Sequence, residues 1–583
     1  MTGEPSLSVV LCTFRRPDGA ARALASLLAQ PVEDLQVVVA DAGEVEDTAE
    51  ALRPYEIDPR WSLVGVPDRG LCGLRNDGGR YARAPWIAFL DDDDHVGPGW
   101  AEALLSAGSD AGVGLVSCGN DMVDDRGTVT ATLQPKALGP LMSDLHGNVL
   151  AGCWAARRDV LDEAGWYLPG LMWSHQTELW IRMAAVCRER GLRAEVVDRP
   201  LTRIHRRAAE DRRLGNPRLL VDGTRWILAR HAAAYDRAPD ELASAHRILG
   251  VNYARIGDLR SARQHFLRSL RLRPDAATVA RAAATLARPL AARAWGTDAG
   301  HVDREAMARQ GLAGVEAMSD EAHATDSLFL PWRYRENAPA SADRDGTPFW
   351  EEGTAANDVR YQDPVYRWAA RLAQDIDHLP VLDVGCGGGH KLVHRVGAVT
   401  DRFTGADQPS GIELAESTFP GRDWLAGDLE DDTFWGLLAS RRARLVICSD
   451  VIEHLVEPRD LLRRLRQVAG AGGRILLSTP DRSRLEGVDP LGPPRNPRHV
   501  REWSADELAL LCESAGFRVV EQRHLLPRSY SATRVDLNRT VYRLLSRRPV
   551  PDRRSSLALL LEPVVVDDAP AGPDGQPGRA AHS

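Results

Sequence analysis

The sequence has little of what secreted, membrane-spanning or nucleic-acid-wrapping proteins need. Its eight cysteines stand singly, with no Cys-x-x-Cys pair, so a disulfide framework is not expected. No apolar run approaches the roughly 20 residues of a membrane helix, and no signal-peptide pattern opens the chain. The net charge of -9 favours neither nucleic acid nor an anionic membrane as a partner. We expect a cytoplasmic protein with reduced, mostly buried thiols that acts on small molecules, without a nucleic-acid partner or an integral membrane segment.

The 583 residues correspond to about four domains of average length. Apolar residues make up 44% and charged residues 27%, a balance that excludes wholesale disorder. Strand-like apolar runs alternate with helical patterns in two stretches, which predicts two α/β units, the first with a largely parallel sheet. The predicted parts are an α/β domain at 1–215, a helical region at 216–295, a linker at 296–346, a second α/β domain at 347–550 and a mostly disordered tail at 551–583.

The helical region contains one periodic pattern of small and large residues. A tetratricopeptide helix pair has small residues where its helices approach and large ones that fill the gap, and the pattern resembles a single such repeat. A hairpin that buttresses its neighbour is the simpler interpretation, since a peptide-binding solenoid needs about three repeats. A contact with another pathway enzyme stays open. The pattern consists of Leu249, Gly250, Tyr253, Gly257, Ala262, Phe266 and Pro274.

Four aspartates, Asp91 to Asp94, follow the apolar run 85–90 directly. Ligands bind at the carboxyl edge of open α/β sheets, so this run is expected to line a site. Neighbouring carboxylates repel one another unless a cation lies among them. Mg²⁺ or Mn²⁺ takes one or two carboxylates and completes its shell with phosphates and water. The sequence therefore predicts a divalent metal that holds a diphosphate.

The motifs around these aspartates point to a family. Segments 8–17, 37–43, 70–94 and 203–205 resemble, in this order and at family spacing, the family two nucleotide-sugar glycosyltransferases. The resemblance covers residues 6–205 and implies a GT-A fold, which is Rossmann-like, and an inverting transfer of sugar from a nucleotide donor. The acceptor it implies is a glycan, a lipid-linked glycan, or a natural product or peptide.

The resemblance also implies roles for individual residues. Thr13 and Asp41 are expected to contact the nucleotide base and ribose, and Arg75 is expected to lie near the nucleotide or its phosphates. The metal ligands that it implies are Asp91, Asp93 and His205, with Asp92 or Asp94 beside them.

The chain departs from this family where the general base stands. The family has the pattern Glu-Asp-x-Asp-Leu-Trp, whose second residue deprotonates the acceptor, and Gln176 occupies that position here. An amide can orient an acceptor but cannot take its proton near neutral pH. Three alternatives stay open. Glu178 is the base; or His175 is the base or the acceptor ionises easily; or transfer is lost and nucleotide-sugar binding remains.

A second ligand-binding pattern begins at residue 381. The strand-like run 381–384 leads into a glycine turn, and another run ends at Asp407 about twenty residues later. Glycine permits positive φ and a close approach of backbone to a ligand. The acidic residue is placed to accept hydrogen bonds from both hydroxyls of a ribose.

Together with the segment 446–458, this pattern resembles the class I S-adenosylmethionine-dependent methyltransferases over residues 379–526. The resemblance implies a Rossmann-like domain that binds S-adenosylmethionine and modifies a small molecule or sugar. Glu453 and His454 are expected to face the methyl site, with His454 either a base or a loop-ordering residue, and His499 and Trp503 to border the substrate pocket. The cofactor residues that it implies are Asp383, Gly385, Gly387, Gly389, Asp407, Asp428 and Asp450.

Two functions are open for the whole chain. In the first, a bifunctional enzyme transfers a sugar with its amino-terminal domain and methylates the product or acceptor with its carboxyl-terminal domain. Fusion then raises the local concentration of the second site. In the second, the glycosyltransferase-like domain is a non-catalytic module that binds a sugar nucleotide or glycan and serves an active methyltransferase.

Overall fold

The computed structural model describes residues 4–43, 45–124, 126–171, 173–205, 217–286, 291, 294–295, 328–338, 362–375, 380–429, 431–470, 472–484, 489, 491–525 and 556–564. These residues divide into two compact units, the first ending at Arg333 and the second beginning at Tyr334. Each unit contains one large sheet covered by helices. No helix within the described ranges is long and apolar enough to cross a bilayer.

A nine-stranded sheet forms the centre of the first unit. Its strands are β1 Leu7–Thr13, β2 Leu35–Asp41, β3 Trp61–Gly65, β4 Trp86–Asp91, β5 His95–Val96, β6 Val113–Val123, β7 Val129–Leu133, β10 Trp154–Arg157 and β11 Arg193–His205, while β8 Lys136–Ala137 and β9 His146–Gly147 form a separate ribbon. The order is β3-β2-β1-β4-β10-β6-β11-β5, with β7 paired to β6.

The sheet is mixed, although its first four strands are parallel as predicted. β10 runs antiparallel between β4 and β6, and β5 and β7 are antiparallel to their partners. These three are short or exposed strands with weak apolar signals, which is why the sequence pattern did not separate them from loops. Because β10 is antiparallel to both β4 and β6, β6 runs in the same direction as β4 and β1. β11 is parallel to β6 and shares that direction.

Helices cover both faces of this sheet and bury continuous apolar strands. β1 is buried along its whole length, as expected for a central parallel strand. All eight cysteines of the chain are buried free thiols, which confirms the expected reduced core residues. The helices are α1 Pro17–Leu28, α2 Val45–Leu52, α3 Gly70–Gly79, α4 Trp100–Ala107, α5 Arg158–Ala164 and α6 His175–Arg190.

The predicted helical region is helical. It contains α7 Pro217–Arg230, α8 Ala232–Tyr235, α9 Pro239–Arg255, α10 Leu259–Leu272 and α11 Ala276–Ala284. α9 and α10 pack as a hairpin, and a Cβ added at Gly250 would lie 2.6 Å from the ring of Phe266. Gly257 makes the turn between them with φ +85°. The small-against-large packing agrees with the pattern, and its assignment to a tetratricopeptide repeat stays a prediction.

The second unit contains a seven-stranded sheet. Its strands are β12 Val381–Val384, β13 Phe403–Asp407, β14 Asp423–Ala426, β15 Leu445–Ser449, β16 Arg474–Pro480, β17 Phe517–Leu525 and β18 Ser556–Pro563, in the order β14-β13-β12-β15-β16-β18-β17. The first five in this order are parallel, and β18 is antiparallel to both neighbours. The helices are α12 Asp363–Asp375, α13 Pro409–Thr418, α14 Asp432–Ser440, α15 Pro458–Ala469 and α16 Ala505–Ser514.

β18 corrects two predicted boundaries. The second domain does not end at residue 550, and the prediction of a mostly disordered tail at 551–583 is wrong for residues 556–564. Leu557, Leu559 and Leu561 have no solvent exposure, because the strand lies between β16 and β17. The Pro- and Gly-rich composition around the run outweighed its apolar side chains in the prediction. The rest of the tail lies outside the described residues.

The predicted linker at 296–346 also contains an ordered segment. Leu330 is buried in the first unit, where the Phe329 ring centroid lies 4.7 Å from that of Trp226. In the second unit the Asn337 side chain donates hydrogen bonds to backbone oxygens, one of them on His499 at 2.9 Å. Of residues 328–338, those up to Arg333 belong to the first unit and those from Tyr334 onward belong to the second. The remainder of the predicted linker lies outside the described residues.

Candidate active sites

The residues predicted to bind a nucleotide sugar lie at one edge of the first sheet. Thr13, Asp41, Asp91 and His205 are the last residues of β1, β2, β4 and β11, which run in the same direction. One oxygen of Asp41 accepts the Gly43 N–H at 2.7 Å, and the other is buried without a hydrogen-bond partner among the described residues. An unsatisfied buried carboxylate oxygen suits a ribose or base donor.

The aspartate run is tied to basic side chains. Thr13 donates to Asp92 at 2.9 Å, and the Arg16 guanidinium contacts Asp92 at 3.2 Å and Asp93 at 2.9 Å. The fully buried Arg75 donates to Asp91 at 2.6 Å. Burial raises the pKa of the Asp92 carboxyl, against the hydrogen bond from Thr13 and the charge of Arg16, which lower it. The side of the run that faces the sheet is therefore held by internal contacts.

The three predicted metal ligands, Asp91, Asp93 and His205, are not gathered around one point. No three acidic, cysteine or histidine ligand atoms in this part of the described chain lie within 4.8 Å of one another. The His205 Nε2 atom lies 3.2 Å from Nδ1 of His95, and the His205 backbone N–H donates to Asp94. The donor chemistry suits Mg²⁺ or Mn²⁺, but the arrangement does not form a three-ligand metal site.

Gln176 lies in the first turn of α6, where the family has its base. Its side-chain oxygen accepts a hydrogen bond from the Tyr167 hydroxyl at 2.9 Å. The neighbouring His175 packs near that tyrosine ring, with centroids 5.9 Å apart. Burial, together with the charge of Arg75, lowers the pKa of His175 to about 3. His175 is therefore neutral at pH 7 and a weak proton acceptor, which argues against its predicted role as the base.

Glu178, the other predicted base, is enclosed by basic side chains. It has no solvent exposure, and Arg182 donates to it at 2.8 Å, His231 at 3.0 Å and Arg230 at 3.2 Å. Burial raises the pKa of this carboxyl, but the charge of Arg182 and the hydrogen bond from His231 outweigh it and hold the pKa well below its usual range. A carboxylate held in this way cannot reach an acceptor, which argues against Glu178 as the base.

The sequence reasoning missed Arg230 and His231. They end α7 and follow it directly, about fifty residues after Glu178. Both are buried, so the helical region completes the surroundings of a residue on α6. Adjacent basic residues at the end of an apolar helix were a signal that a buried acid exists, but no spacing rule identifies which one.

The glycine turn of the second sheet has the backbone conformation expected of it. Gly385, Gly387 and Gly389 have φ values of +83°, +56° and +75°. The Gly387 N–H donates to one oxygen of Asp407 at 2.7 Å, and the Gln408 N–H donates to the other at 2.8 Å. The acid at the end of β13 therefore fixes the turn at the end of β12.

The other predicted cofactor residues surround the same edge. Asp383 is buried in β12 and accepts the Tyr366 hydroxyl at 2.9 Å. Asp428 is exposed and follows β14 by two residues. Asp450 follows β15 in the left-handed region, with φ +55°, and its N–H donates to the Ser478 carbonyl at 2.9 Å. A non-glycine residue held at positive φ is a strained conformation of the kind that clusters at ligand sites.

Glu453, His454 and His499 form a compact cluster beside this edge. One ligand atom from each lies within 4.8 Å of the others, and no other such trio occurs within the described ranges. Burial and the neighbouring Asp450 raise the pKa of Glu453 well above its usual range. Burial, with His499 beside it, lowers the pKa of His454 to about 4. His454 is therefore a weak proton acceptor at neutral pH.

Two family models match the chain. Residues 8–165 match the model described as Glycosyl transferase family 2, and residues 357–522 match one described as Methyltransferase domain. The first segment contains Thr13, Asp41 and Asp91 but ends before α6 and β11, and the second contains the ligand-type residues of the second sheet edge.

Individual relatives match each half. Validoxylamine A glucosyltransferase from Streptomyces hygroscopicus subsp. jinggangensis (strain 5008) is 38% identical over 107 residues, which is 18% of this chain and 25% of that protein. A Mycolicibacterium smegmatis protein named "Probable S-adenosylmethionine-dependent methyltransferase" is 32% identical over 165 residues, 28% of this chain and 58% of that protein. The chain thus spans a quarter of the first relative and just over half of the second.

A solved structure of S. aureus TarS residues 1–349 with UDP-GlcNAc is 14% identical, with a TM-score of 0.35, and the match covers 54% of this chain and 91% of that one. The family models and curated relatives agree with the two α/β sheets and with the motifs at their edges. The chain therefore contains a family 2 glycosyltransferase domain in its amino-terminal half and a methyltransferase domain in its carboxyl-terminal half.

Proposed function

We propose that the protein is a bifunctional enzyme that transfers a sugar from a nucleotide donor to an acceptor and methylates the acceptor or product with S-adenosylmethionine. The observation that carries this proposal is the presence of two separate sheets, each with ligand-type side chains at its carboxyl edge. In this class of fold, that edge is where ligands bind. The acceptor is a glycan, a lipid-linked glycan, or a natural product or peptide.

In the first domain, Asp41 binds the nucleoside through its unsatisfied oxygen, and Arg75 holds Asp91 in place at the donor side of the site. Thr13, the last residue of β1, donates to Asp92 and fixes its carboxylate. A divalent cation would supply charge for the diphosphate leaving group, with Asp91 and Asp93, the two partly exposed carboxylates of the run, as its donors. A partner of the helical region among pathway enzymes stays a prediction.

The acceptor is proposed to be a group that gives up its proton easily. Gln176 is an amide, Glu178 is held in internal ion pairs, and His175 is a weak base, so none of the three supplies a strong proton acceptor. Transfer to an easily ionised oxygen or nitrogen requires positioning and leaving-group stabilisation more than proton removal.

The test is nucleoside diphosphate release by the purified chain from a panel of nucleotide sugars, with acceptors of graded acidity. We expect turnover to rise as the acceptor pKa falls. Gln176→Asp restores a carboxylate at the base position and is expected to speed transfer to weakly acidic alcohols more than to acidic acceptors. A wild-type rate that is independent of acceptor acidity, with no gain in Gln176→Asp, contradicts the proposal.

The second candidate is a non-catalytic glycosyltransferase-like module that serves the methyltransferase. The observation in its favour is Gln176, together with the enclosed Glu178. It predicts that the wild-type chain binds a nucleoside diphosphate but releases none from any nucleotide sugar. It also predicts that a glycan bound to the first domain raises methylation of that glycan. Turnover, not binding, separates the two candidates.

A further inference from the structure

The short segment 334–337, named here the support segment, is hydrogen-bonded to the loop 491–502 of the second unit. The backbone N–H groups of its second and fourth residues donate to the carbonyls of Leu491 and Val500, each at 2.9 Å. The match to the methyltransferase family model begins only at residue 357. The support segment is therefore an addition to the part of the domain that the family model covers.

The side chain of Asn337 makes several of these contacts at once. Its amide nitrogen lies 3.0 Å from the carbonyl oxygen of Pro494, 3.1 Å from that of Asn496 and 2.9 Å from that of His499. A carbonyl oxygen can only accept, so the two hydrogens of the amide are shared among three acceptors. One side chain thus fixes the course of the backbone from residue 494 to residue 499.

The end of the loop is held by the other side chains of the support segment. The Glu502 N–H donates to the Tyr334 hydroxyl at 3.1 Å, and the Arg501 guanidinium donates to the Glu336 carboxylate at 3.1 Å. The Arg482 guanidinium lies over the Tyr334 ring, 5.0 Å from its centroid. Arg501 is buried and Glu336 is only partly exposed, so solvent screens this ion pair less than it screens a surface pair.

The loop lies at the part of the sheet edge that is left for a methyl acceptor. The Val500 N–H donates to the Glu453 carbonyl at 2.8 Å, and the His499 ring packs against that of His454, with centroids 4.8 Å apart. Glu453 and His454 belong to the turn after β15. S-adenosylmethionine is expected at the ends of β12 and β13, so the acceptor is expected beyond β15 on the same edge.

We propose that the support segment is a positioning element of the methyltransferase, which holds the loop 491–502 in the conformation that binds the methyl acceptor. Every hydrogen bond that the segment makes within the described residues goes to residues 489–502, and none goes to the glycine turn. The segment therefore controls acceptor binding and not cofactor binding. This inference rests on the proposed methylation.

The first test is Asn337→Ala in the full chain, which removes the side-chain donors and keeps the backbone N–H. Hydrogen exchange of the amides in 491–502, measured by mass spectrometry, is expected to become about tenfold faster or more. Gln467→Ala removes an exposed amide from α15 and is the matched control, with wild-type exchange expected in the loop. Exchange in Asn337→Ala equal to that of the wild type overturns the proposal.

The second test compares cofactor binding with methylation. The S-adenosylmethionine affinity of Asn337→Ala, from calorimetric titration, is expected to stay within about twofold of the wild-type value, which also shows that the second unit is folded. Methyl transfer to a panel of nitrophenyl glycosides and to the product of the first domain is expected to lose about tenfold or more in kcat/KM for the acceptor.

Asn337→Asp separates the donors of this side chain from its volume. The carboxylate has the same shape but only accepts, so this variant is expected to lose at least as much acceptor kcat/KM as Asn337→Ala. Unchanged acceptor kcat/KM in both variants, or an equal loss of cofactor affinity, overturns the positioning role while the methylation stands. If the wild type methylates no member of the panel, the proposed methylation fails and the positioning role fails with it.

Discussion

Glu178 has no solvent exposure and three basic neighbours, so its carboxylate is committed to internal ion pairs. Its charge compensates the guanidinium groups of Arg182 and Arg230, which are themselves buried. Removing one member of such a group leaves the others uncompensated, and this is more damaging than loss of the whole group. Glu178 therefore stabilises the fold, although the sequence made it a candidate for the general base.

Glu178→Gln is therefore expected to destabilise the first unit by about 3–5 kcal/mol, because it removes the counter-charge that two buried guanidinium groups share. Calorimetry measures this as a lower unfolding temperature of the first unit. Its transition is recognised because S-adenosylmethionine does not raise its temperature. Glu102→Gln, at an exposed position of α4, is the control and is expected to change stability by less than about 0.5 kcal/mol. A normally stable Glu178→Gln that has lost sugar transfer would instead identify Glu178 as a base.

The same substitution gives a pH dependence with a definite sign. The pKa of Glu178 is lowered on folding, so its contribution is complete above the unfolded pKa of about 4.3 and is lost as the pH falls below it. The difference in unfolding free energy between wild type and Glu178→Gln is therefore expected to be constant from about pH 5 to about pH 8, where the glutamate of the unfolded chain is ionised. It is expected to shrink at lower pH. Unfolding measured at several pH values checks this, and a difference that grows on acidification would contradict it.

Gly385 is a position where the methyltransferase turn depends on the absence of a side chain. It has φ +83°, and a Cβ would lie 2.4 Å from Val451 Cγ2. Gly385→Ala is expected to lower the free energy of unfolding of the second unit by about 1–3 kcal/mol. The transition of this unit is the one whose temperature S-adenosylmethionine raises, and the substitution is also expected to weaken binding of that cofactor. Calorimetry and isothermal titration measure the two effects.

Gly436→Ala is the matched control for that glycine. Gly436 lies in α14 with open space around its Cα, so an added methyl group meets nothing within 4 Å. The substitution is expected to stabilise the domain by about 0.5–1 kcal/mol, because alanine is the better helix former. Stability changes of opposite sign in Gly385→Ala and Gly436→Ala would show that backbone conformation and the close contact at Gly385 matter, and not added volume in general. Stability changes of the same sign would refute that explanation.

Elements with strong periodic signals were predictable, and single contacts between distant elements were not. The apolar runs of β1, β2, β4 and β12 and the glycine turn after β12 were readable because local sequence dictates them. β10 and β18 were missed because their pairing is decided by neighbours far along the chain. The partners of Glu178 were missed for the same reason, since Arg230 reaches it from a different region.

β18 is the element whose loss tests the corrected boundary. It pairs with β16 along six residues and with β17 along eight, so it connects the last strand to the sheet. Truncation after residue 550 is expected to remove the cooperative unfolding of the second unit and its S-adenosylmethionine binding. Truncation after residue 564 keeps the strand and is expected to retain both. Cofactor binding by the shorter chain would show that β18 is dispensable.

At the scale of the whole molecule, each sheet edge is expected to work with its own ligand. Asp407→Asn removes the charge that orients the glycine turn and binds the ribose, and is expected to weaken S-adenosylmethionine binding about 10- to 100-fold. Asp41→Asn is expected to weaken nucleoside diphosphate binding in the same range. Titration of both ligands against both variants checks this, and loss of both affinities in either variant would mean that the sites are not independent.

The contacts of Glu178 restrict where the chain can be divided by recombination without destabilising the first unit. The carboxylate lies on α6, while Arg230 and His231 come from the end of α7. Transplanting residues 1–215 alone would remove Arg230 and His231 from Glu178 and leave it with Arg182 as its remaining basic neighbour. A stable excised first domain is therefore expected to require the chain up to at least residue 231, so that α7 belongs with the glycosyltransferase sheet.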